Sequence, residues 1–256
     1  MTQPLLEATG VSKRFGGVAA LGDVSLVVSE GETVGLVGPN GAGKTTLFNC
    51  LLGVLRPDAG RVTFKGVDLA RLPVHRRARL GIGRTFQRVE LFAGMTVAEH
   101  LLVAERAHRG RGGLLADLLG RGAPTADERG RVEGVLEMVG LAPAADLPVE
   151  ALSLGHARLV ELARAIVGEP DLLLLDEPSS GLDRVETLGL AELLTSVQRE
   201  RGTAVLLVEH DLEMVERVVS RLYVLDSGTL LAEGPVADVL GDARVRHAYL
   251  GRAASA

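Results

Sequence analysis

The sequence predicts an α/β fold in which a parallel, helix-covered sheet presents a phosphate-binding loop. After residue 171, apolar strands at 172–175, 204–208, 222–225 and 230–232 are interspersed with helical runs at 185–198 and 212–219. Strands that alternate with helices are typical of a parallel sheet covered by helices. A glycine-rich loop also lies between an apolar strand at 33–37 and a helical run at 47–55, which is the setting in which such a loop binds phosphate.

Composition sets the limits for the rest of the chain. The 256 residues fit one large domain or two small ones, and 46% hydrophobic with 24% charged residues is ordinary for a globular protein. The 28 basic and 33 acidic residues give 28 − 33 = −5, which argues against a nucleic-acid partner. The single cysteine, Cys50, excludes an internal disulfide. We find no signal peptide, and uncharged stretches such as 45–55 are too short to span a membrane.

The first two thirds of the chain predict a β-rich part followed by a helical insert. Short β-like runs occupy residues 5–8, 24–28, 33–37 and 61–64, separated by glycine or acidic residues. Residues 96–109 and 132–139 then show apolar side chains at helical spacing. Between these helices, 110–113 and 120–127 are interpreted as surface loops around a short helical piece at 114–119.

The phosphate-binding loop, residues 38–46, matches the pattern G-x-x-x-x-G-K-[ST]. Its residues are Gly38, Pro39, Asn40, Gly41, Ala42, Gly43, Lys44, Thr45 and Thr46. Glycines let successive backbone N–H groups turn toward phosphate oxygens, and the following helix adds the positive end of its dipole. We expect Lys44 to reach the β- and γ-phosphates and Thr45 to offer a hydroxyl to Mg²⁺.

Two adjacent acids end the apolar strand 172–175. Ligands of open α/β sheets gather beyond the carboxyl ends of the strands, so Asp176 and Glu177 are expected at the mouth of the site. Neighbouring side chains of a strand point to opposite faces. We therefore expect Asp176 to bind Mg²⁺ and Glu177 to face the attacking water. The alternative is a strand that ends in a solvated acidic turn.

Further residues resemble the ATP-binding subunits of ABC transporters over nearly the whole chain. The segment 152–156, Leu-Ser-Leu-Gly-His, is similar to the signature motif of that family and runs into a helix at 157–166. The resemblance implies a P-loop NTPase with a RecA-like core, an antiparallel β-subdomain and a helical subdomain. It further implies one nucleotide-binding domain over 1–256, with 1–87 and 161–256 forming the catalytic core and β-subdomain, and 88–160 the helical subdomain.

The same resemblance assigns roles to single residues. Ser153 and Gly155 would bind the γ-phosphate of ATP held by a second ATP-binding subunit, so hydrolysis would require a dimer. Gln87 resembles the glutamine that contacts Mg²⁺ and water, and residues 180–183, ending in Asp183, resemble the D-loop. His210 resembles the histidine that contacts the γ-phosphate, and Phe15 the aromatic residue that stacks on adenine.

Each of these residues also has an ordinary structural interpretation. A lone glutamine is commonly a surface residue, a histidine at a strand end a capping or core residue, and a phenylalanine beside glycines part of a core. The chain also departs from the usual Leu-Ser-Gly-Gly-Gln signature, because Leu154 and His156 replace a glycine and the glutamine. Histidine changes charge near about pH 6.5, so we hypothesise that His156 makes ATP hydrolysis pH-dependent.

Within the family, the likeness is to the first of the paired ATPase subunits of branched-chain (hydrophobic) amino acid importers. It rests on residues 81–87, 91–99, the insert near 110–125 and residues 248–251. The expected partners are a second ATP-binding subunit, two transmembrane permease subunits and, indirectly, a solute-binding protein, with the chain peripheral on the cytoplasmic side of the membrane. The surface around 87–96 would face the permease. Subunits of urea or amide importers, and soluble ABC ATPases outside transport, remain alternatives.

Overall fold

The computed structural model describes residues 4–85, 90–109 and 123–253, and it contains two sheets. The smaller sheet is antiparallel and is formed mainly by the first part of the chain. In spatial order its strands are β2 (Val18–Val28), β1 (Leu6–Phe15), β4 (Ala59–Phe64) and β5 (Val67–Asp68). This sheet confirms the predicted antiparallel β part, and its first two strands are longer than their apolar runs.

The larger sheet has six strands, and five of them run parallel. Its spatial order is β10 (Thr229–Pro235), β9 (Arg221–Asp226), β3 (Thr33–Val37), β8 (Ala204–Val208), β7 (Leu172–Asp176) and β6 (Ile82–Arg84). Only β10 is antiparallel, because it returns from β9 through a tight turn. The predicted parallel sheet is confirmed, with the correction that its last strand reverses direction.

The helices follow the order predicted for a β part, a helical insert and an alternating part. They are α1 (Lys44–Leu52), α2 (Val74–Arg79), α3 (Val97–Arg109), α4 (Ala126–Met138), α5 (Leu154–Ile166), α6 (Arg184–Arg201), α7 (Leu212–Val218), α8 (Val236–Gly241) and α9 (Ala243–Ala253). In the described parts of the chain, no helix combines the length and the apolar character that crossing a membrane requires.

The central strands are buried on both faces, and each face belongs to a different core. In β7, Leu172 and Leu174 face a core shared with the antiparallel sheet and α1. Leu173 and Leu175 face a second core built with α3 to α7. Alternate side chains of a strand point to opposite faces, so a run of leucines fills both cores. This sandwich fixes the carboxyl ends of β3, β7 and β8, where the site lies.

Several predicted boundaries are wrong, and local geometry explains them. Helix α1 ends at Leu52 rather than 55, because Gly53 adopts φ 83° and donates its N–H to the carbonyl of Asn49. Helix α4 begins at Ala126 within a predicted loop, because Thr125 and Glu128 form a capping box. The predicted loop 110–113 and helical piece 114–119 lie outside the described residues.

Candidate functional site

The phosphate-binding loop connects β3 to α1 and is packed between strands on either side. Gly38 has φ 151° and Gly43 has φ 103°. A Cβ at Gly38 would overlap the carbonyl oxygen of Leu225, and a Cβ at Gly43 would lie 2.6 Å from that of Ala20. Both positions therefore require glycine for space as well as for backbone conformation. The loop can pass this close to β9 and β2 only without side chains.

Lys44 is the first residue of α1, and its side chain folds back over the loop. Its ammonium donates to the carbonyls of Gly38, at 2.6 Å, and Pro39, at 3.2 Å. Burial lowers the pKa of Lys44, while the nearby carboxylates of Glu177 and Asp176 act in the opposite direction. A buried ammonium within a ring of backbone groups is suited to contact phosphate oxygens.

The loop forms the floor of a surface cavity of about 580 Å³. Seven of the predicted loop residues and one predicted acid line it: Asn40, Gly41, Ala42, Gly43, Lys44, Thr45, Thr46 and Glu177. Five lining residues were not predicted: Val18, Ala19, Ala20, Ser227 and Gly228. The last two belong to the β9–β10 turn, where Gly228 donates its N–H to the carbonyl of Ala42 at 2.9 Å. The Ser-Gly pair is a turn signal, but the sequence does not indicate where that turn packs.

Asp176 ends β7 beside the loop and is almost fully buried. Its Oδ1 is buried and has no hydrogen-bond partner in the described part of the chain. Burial, with the neighbouring charges of Glu177 and Glu209, raises the pKa of Asp176 to about 6, although Lys44 acts in the opposite direction. A buried carboxylate oxygen without a donor is a strong candidate for a cation ligand.

Glu177 directly follows β7 and lines the cavity. Its φ of 48° is the left-handed conformation, which is strained for a glutamate. The backbone N–H of Glu177 donates to the carbonyl of Val208 at 2.8 Å, which fixes this turn to the end of β8. Its Oε1 lies 4.0 Å from Nδ1 of His210, whose side chain is 62% exposed. The structure therefore brings two predicted catalytic residues together at the cavity.

Glu209 is a site residue that the sequence reasoning missed. It is completely buried, and Oε1 accepts the N–H of Ser179 at 2.9 Å. Oε2 accepts the N–H of His210 at 3.1 Å. The sequence signal that could have found Glu209 is an acidic residue between an apolar strand and a histidine. Charged residues at such positions are seldom fully buried without partners.

The signature residues lie in a different cavity, of about 860 Å³, which is larger than the one at the phosphate-binding loop. Ser153 caps α5 by accepting the N–H of His156 at 3.3 Å. A Cβ at Gly155 would overlap the carboxylate of Glu186, so a larger residue there requires the Glu186 side chain to move. Asp183 caps α6 and forms a capping box with Glu186. Within one chain, the signature motif and the phosphate-binding loop therefore line separate cavities.

This geometry does not test the roles predicted for two residues, Phe15 and Gln87. Phe15 is half exposed at the end of β1 and pairs with Val18, which lines the smaller cavity. Its ring lies 5.7 Å from the ammonium of Lys13. Gln87 lies outside the described residues.

Comparison with known proteins identifies the family. The family model described as ABC transporter matches residues 21–180, which is more than half of the chain. The chain belongs to the ABC transporter family. This ABC ATPase is 42% identical over 256 residues to the high-affinity branched-chain amino acid transport ATP-binding protein LivG of Salmonella typhimurium, which covers 99% of this chain and 100% of the relative. The family resemblance inferred from the motifs is thereby confirmed.

Solved structures agree with this assignment. The ADP conformation of MJ1267, an ATP-binding cassette of an ABC transporter, matches with a TM-score of 0.84 and 32% identity over 98% of this chain and 100% of that one. A dimeric post-hydrolysis state of the cassette MJ0796, bound to ADP and Pi, matches with a TM-score of 0.76 and 26% identity over 90% of this chain and 98% of that one. As an ABC ATPase, the chain binds and hydrolyses ATP.

Proposed function

We propose that this ABC ATPase powers the import of branched-chain or other hydrophobic amino acids. The observation that supports this most is the full-length 42% identity to a branched-chain amino acid transport ATP-binding protein. A related importer of urea or amides, and a soluble ABC ATPase outside transport, are the alternatives. The net charge of −5 argues against a soluble ABC ATPase that acts on nucleic acid.

In this proposal ATP binds in the cavity above the phosphate-binding loop. Backbone N–H groups of residues 38–46 surround the phosphates at the N-terminus of α1. Lys44, already held at the loop, contacts the β- and γ-phosphate oxygens. Phe15 stacks on adenine, for which its exposed ring at the rim of the β1–β2 hairpin is suited. The cavity volume of about 580 Å³ is within the ordinary range for ligand sites.

Mg²⁺ fits the residues at this cavity. The buried Oδ1 of Asp176 has no partner among the described residues, and Thr45 offers a hydroxyl from the lining of the cavity. Mg²⁺ is typically bound by one or two protein groups together with substrate phosphates and water, and Gln87 is the third expected contact. When bound, the ion neutralises charge on the phosphate oxygens.

Hydrolysis requires a base for the attacking water, and Glu177 has this role in the proposal. Its side chain lines the cavity and is partly exposed, so water reaches it. The carboxylate accepts the proton as the water oxygen attacks the γ-phosphorus, and ADP leaves with the bonding electrons. His210, at 4.0 Å from Glu177, contacts the γ-phosphate.

The active form in this proposal is a dimer, either of two copies or with a related ATPase chain. Ser153, Gly155 and Asp183 are directed to the ATP of the partner subunit. For Ser153 and Gly155 this is supported by their location in a cavity separate from the phosphate-binding loop, and Asp183 caps the helix that supplies Glu186 to the same cavity. The dimer docks on two permease subunits at the cytoplasmic side of the membrane, and a solute-binding protein delivers the amino acid. We retain 88–160 as the helical subdomain and 1–87 with 161–256 as the catalytic core.

The catalytic roles are tested with Glu177→Gln. ATP hydrolysis and ATP-dependent dimerisation are measured for the native and the variant chain, each alone and mixed with the related ATPase encoded beside it. We expect Glu177→Gln to retain ATP in a stable dimer with turnover reduced at least about 100-fold, which is within the range for loss of a general base. Turnover equal to that of the native chain would contradict the assignment of the base.

The transported solute is tested in proteoliposomes that contain the whole complex with its binding protein. Leucine is expected to stimulate ATP hydrolysis and to accumulate in the vesicles, whereas urea does neither. Stimulation by urea alone would establish the alternative importer. Turnover that no permease changes would favour a soluble ABC ATPase.

A further inference from the structure

The buried carboxylate of Glu209 joins two loops that leave different strands. Oε1 accepts the N–H of Ser179, in the loop after β7, at 2.9 Å. Oε2 accepts the N–H groups of His210 and Asp211, in the loop after β8, at 3.1 and 3.5 Å. The side chain is completely shielded from solvent. Hydrogen bonds in such an environment are stronger and more directional than at a surface.

The two joined loops hold the two groups proposed to act on ATP. Glu177 precedes Ser179 by two residues, and His210 directly follows Glu209. Strands β7 and β8 are paired up to Asp176 and Val208, so regular pairing ends just before these residues. The hydrogen bond from the N–H of Glu177 to the carbonyl of Val208 ties the backbone of Glu177 to the end of β8, and beyond it the separation of 4.0 Å between Glu177 and His210 depends on the contacts between the two loops.

We propose that Glu209 is a positioning residue that fixes the spacing of Glu177 and His210 by bridging the loops after β7 and β8. This inference rests on the roles proposed above for those two residues. A glutamate suits the place because all three hydrogen bonds of its carboxylate come from backbone N–H donors, and Nδ1 of His210 lies 3.8 Å from Oε2. A glutamine would turn an NH₂ group toward one of the donors, and an aspartate would be too short to reach both loops.

The test compares Glu209→Gln with Glu216→Gln, an exposed position on α7 that serves as the matched control. In Glu209→Gln we expect kcat for ATP to fall at least about tenfold and KM to stay within about twofold, because the carboxylate of Glu209 is hydrogen-bonded to the loops after β7 and β8, which hold the groups that act in the reaction step. Amide hydrogen exchange should become faster in peptides spanning 177–183 and 209–212. The control should match the native chain in all three measurements.

Glu209→Asp provides a second variant that retains the charge. It should show the same fall in kcat and the same local increase in exchange, since the shorter side chain loses one of the loops. A kcat within twofold of the native value in both variants would overturn the proposal. A fall in kcat accompanied by weaker ATP binding and faster exchange throughout the chain would also overturn it, because that result describes a purely structural residue.

The exchange measurement also separates this inference from the proposed function. If Glu177→Gln hydrolyses ATP like the native chain, the assignment of the base fails. The proposed bridge through Glu209 is then still tested by amide hydrogen exchange at 177–183 in the Glu209 variants. If exchange there is unchanged while Glu177→Gln is inactive, the bridge fails and the base assignment stands.

Discussion

Replacing Asp176 by asparagine should stabilise the nucleotide-free chain near neutral pH while abolishing its activity. Asp176 is almost fully buried with one oxygen unpartnered in the described structure, so its charged form is disfavoured in the folded protein. Burial is the main reason that its pKa is raised to about 6, from an ordinary value of 3.8. Asparagine has nearly the same shape and removes the charge.

The size of the effect follows from the two pKa values. One pKa unit corresponds to about 1.4 kcal/mol, so a rise from 3.8 to about 6 corresponds to roughly 3 kcal/mol. The unfolded chain loses this proton near pH 4 and the folded chain near pH 6, so the unfolded state binds fewer protons between these values. The free energy of unfolding contributed by Asp176 therefore decreases as pH rises through this range and stays low above it.

The assay is urea unfolding of the native, Asp176→Asn and Glu216→Gln chains, in buffers containing EDTA and no nucleotide. Asp176→Asn is expected to be more stable than the native chain by about 3 kcal/mol at pH 7.5 and by only about 1 kcal/mol at pH 4.5. Glu216→Gln, at an exposed position, should differ little at either pH. The reasoning is refuted if Asp176→Asn is less stable at pH 7.5, or if its advantage does not change with pH.

Three further predictions concern the loop, a buried ion cluster and the signature motif. Gly38→Ala should weaken ATP binding at least about 100-fold, because the added Cβ overlaps the carbonyl of Leu225. Gly41→Ala should weaken it less than about tenfold, because its Cβ has open space around it and only the left-handed φ of 79° is strained. Equilibrium ATP titrations compare the two variants. Glu105→Ala should reduce the free energy of unfolding by about 1–3 kcal/mol in urea titrations, since fully buried Glu105 pairs with Arg109 and Arg131, which are partly exposed and can be hydrated after its loss. A loss below about 0.5 kcal/mol would contradict this. ATPase pH profiles of the native and His156→Gln chains should differ, and superimposable profiles would remove the pH hypothesis.

The parts of the site that the sequence predicted are those whose chemistry is local. The phosphate-binding loop and the acid pair combine consecutive residues with a flanking strand, so their spacing alone constrains the geometry. Glu209 and the Ser227–Gly228 turn escaped prediction because their partners, Ser179 and Ala42, are distant in the sequence. A single sequence indicates a buried acid or a turn but does not indicate what packs against it.

The predicted boundaries of helices and strands are wrong for a different reason. The predictions followed apolar periodicity, but helices and strands also include polar turns at their ends. Thr125 and Glu128 start α4 through side-chain hydrogen bonds, six residues before the apolar pattern begins. The capping box was visible as Thr-x-x-Glu and should have overridden the interpretation of that segment as a loop. Strand β1 continues to Phe15 through a segment that contains few apolar residues. It does so because this segment pairs with β2.

The loop after β7 runs from the cavity at the phosphate-binding loop, lined by Glu177, to the cavity at the signature motif, lined by Leu182. At one end, the N–H of Ser179 donates a hydrogen bond to the carboxylate of Glu209. Further along, the carbonyl of Ser180 accepts a hydrogen bond from Arg158 at 3.3 Å. Leu154, which replaces the family's glycine, lies so near Gly181 that a Cβ there would come within 2.9 Å of its side chain. Leu154 therefore places a side chain against this loop at Gly181, where a glycine in the signature motif would leave the loop without that contact.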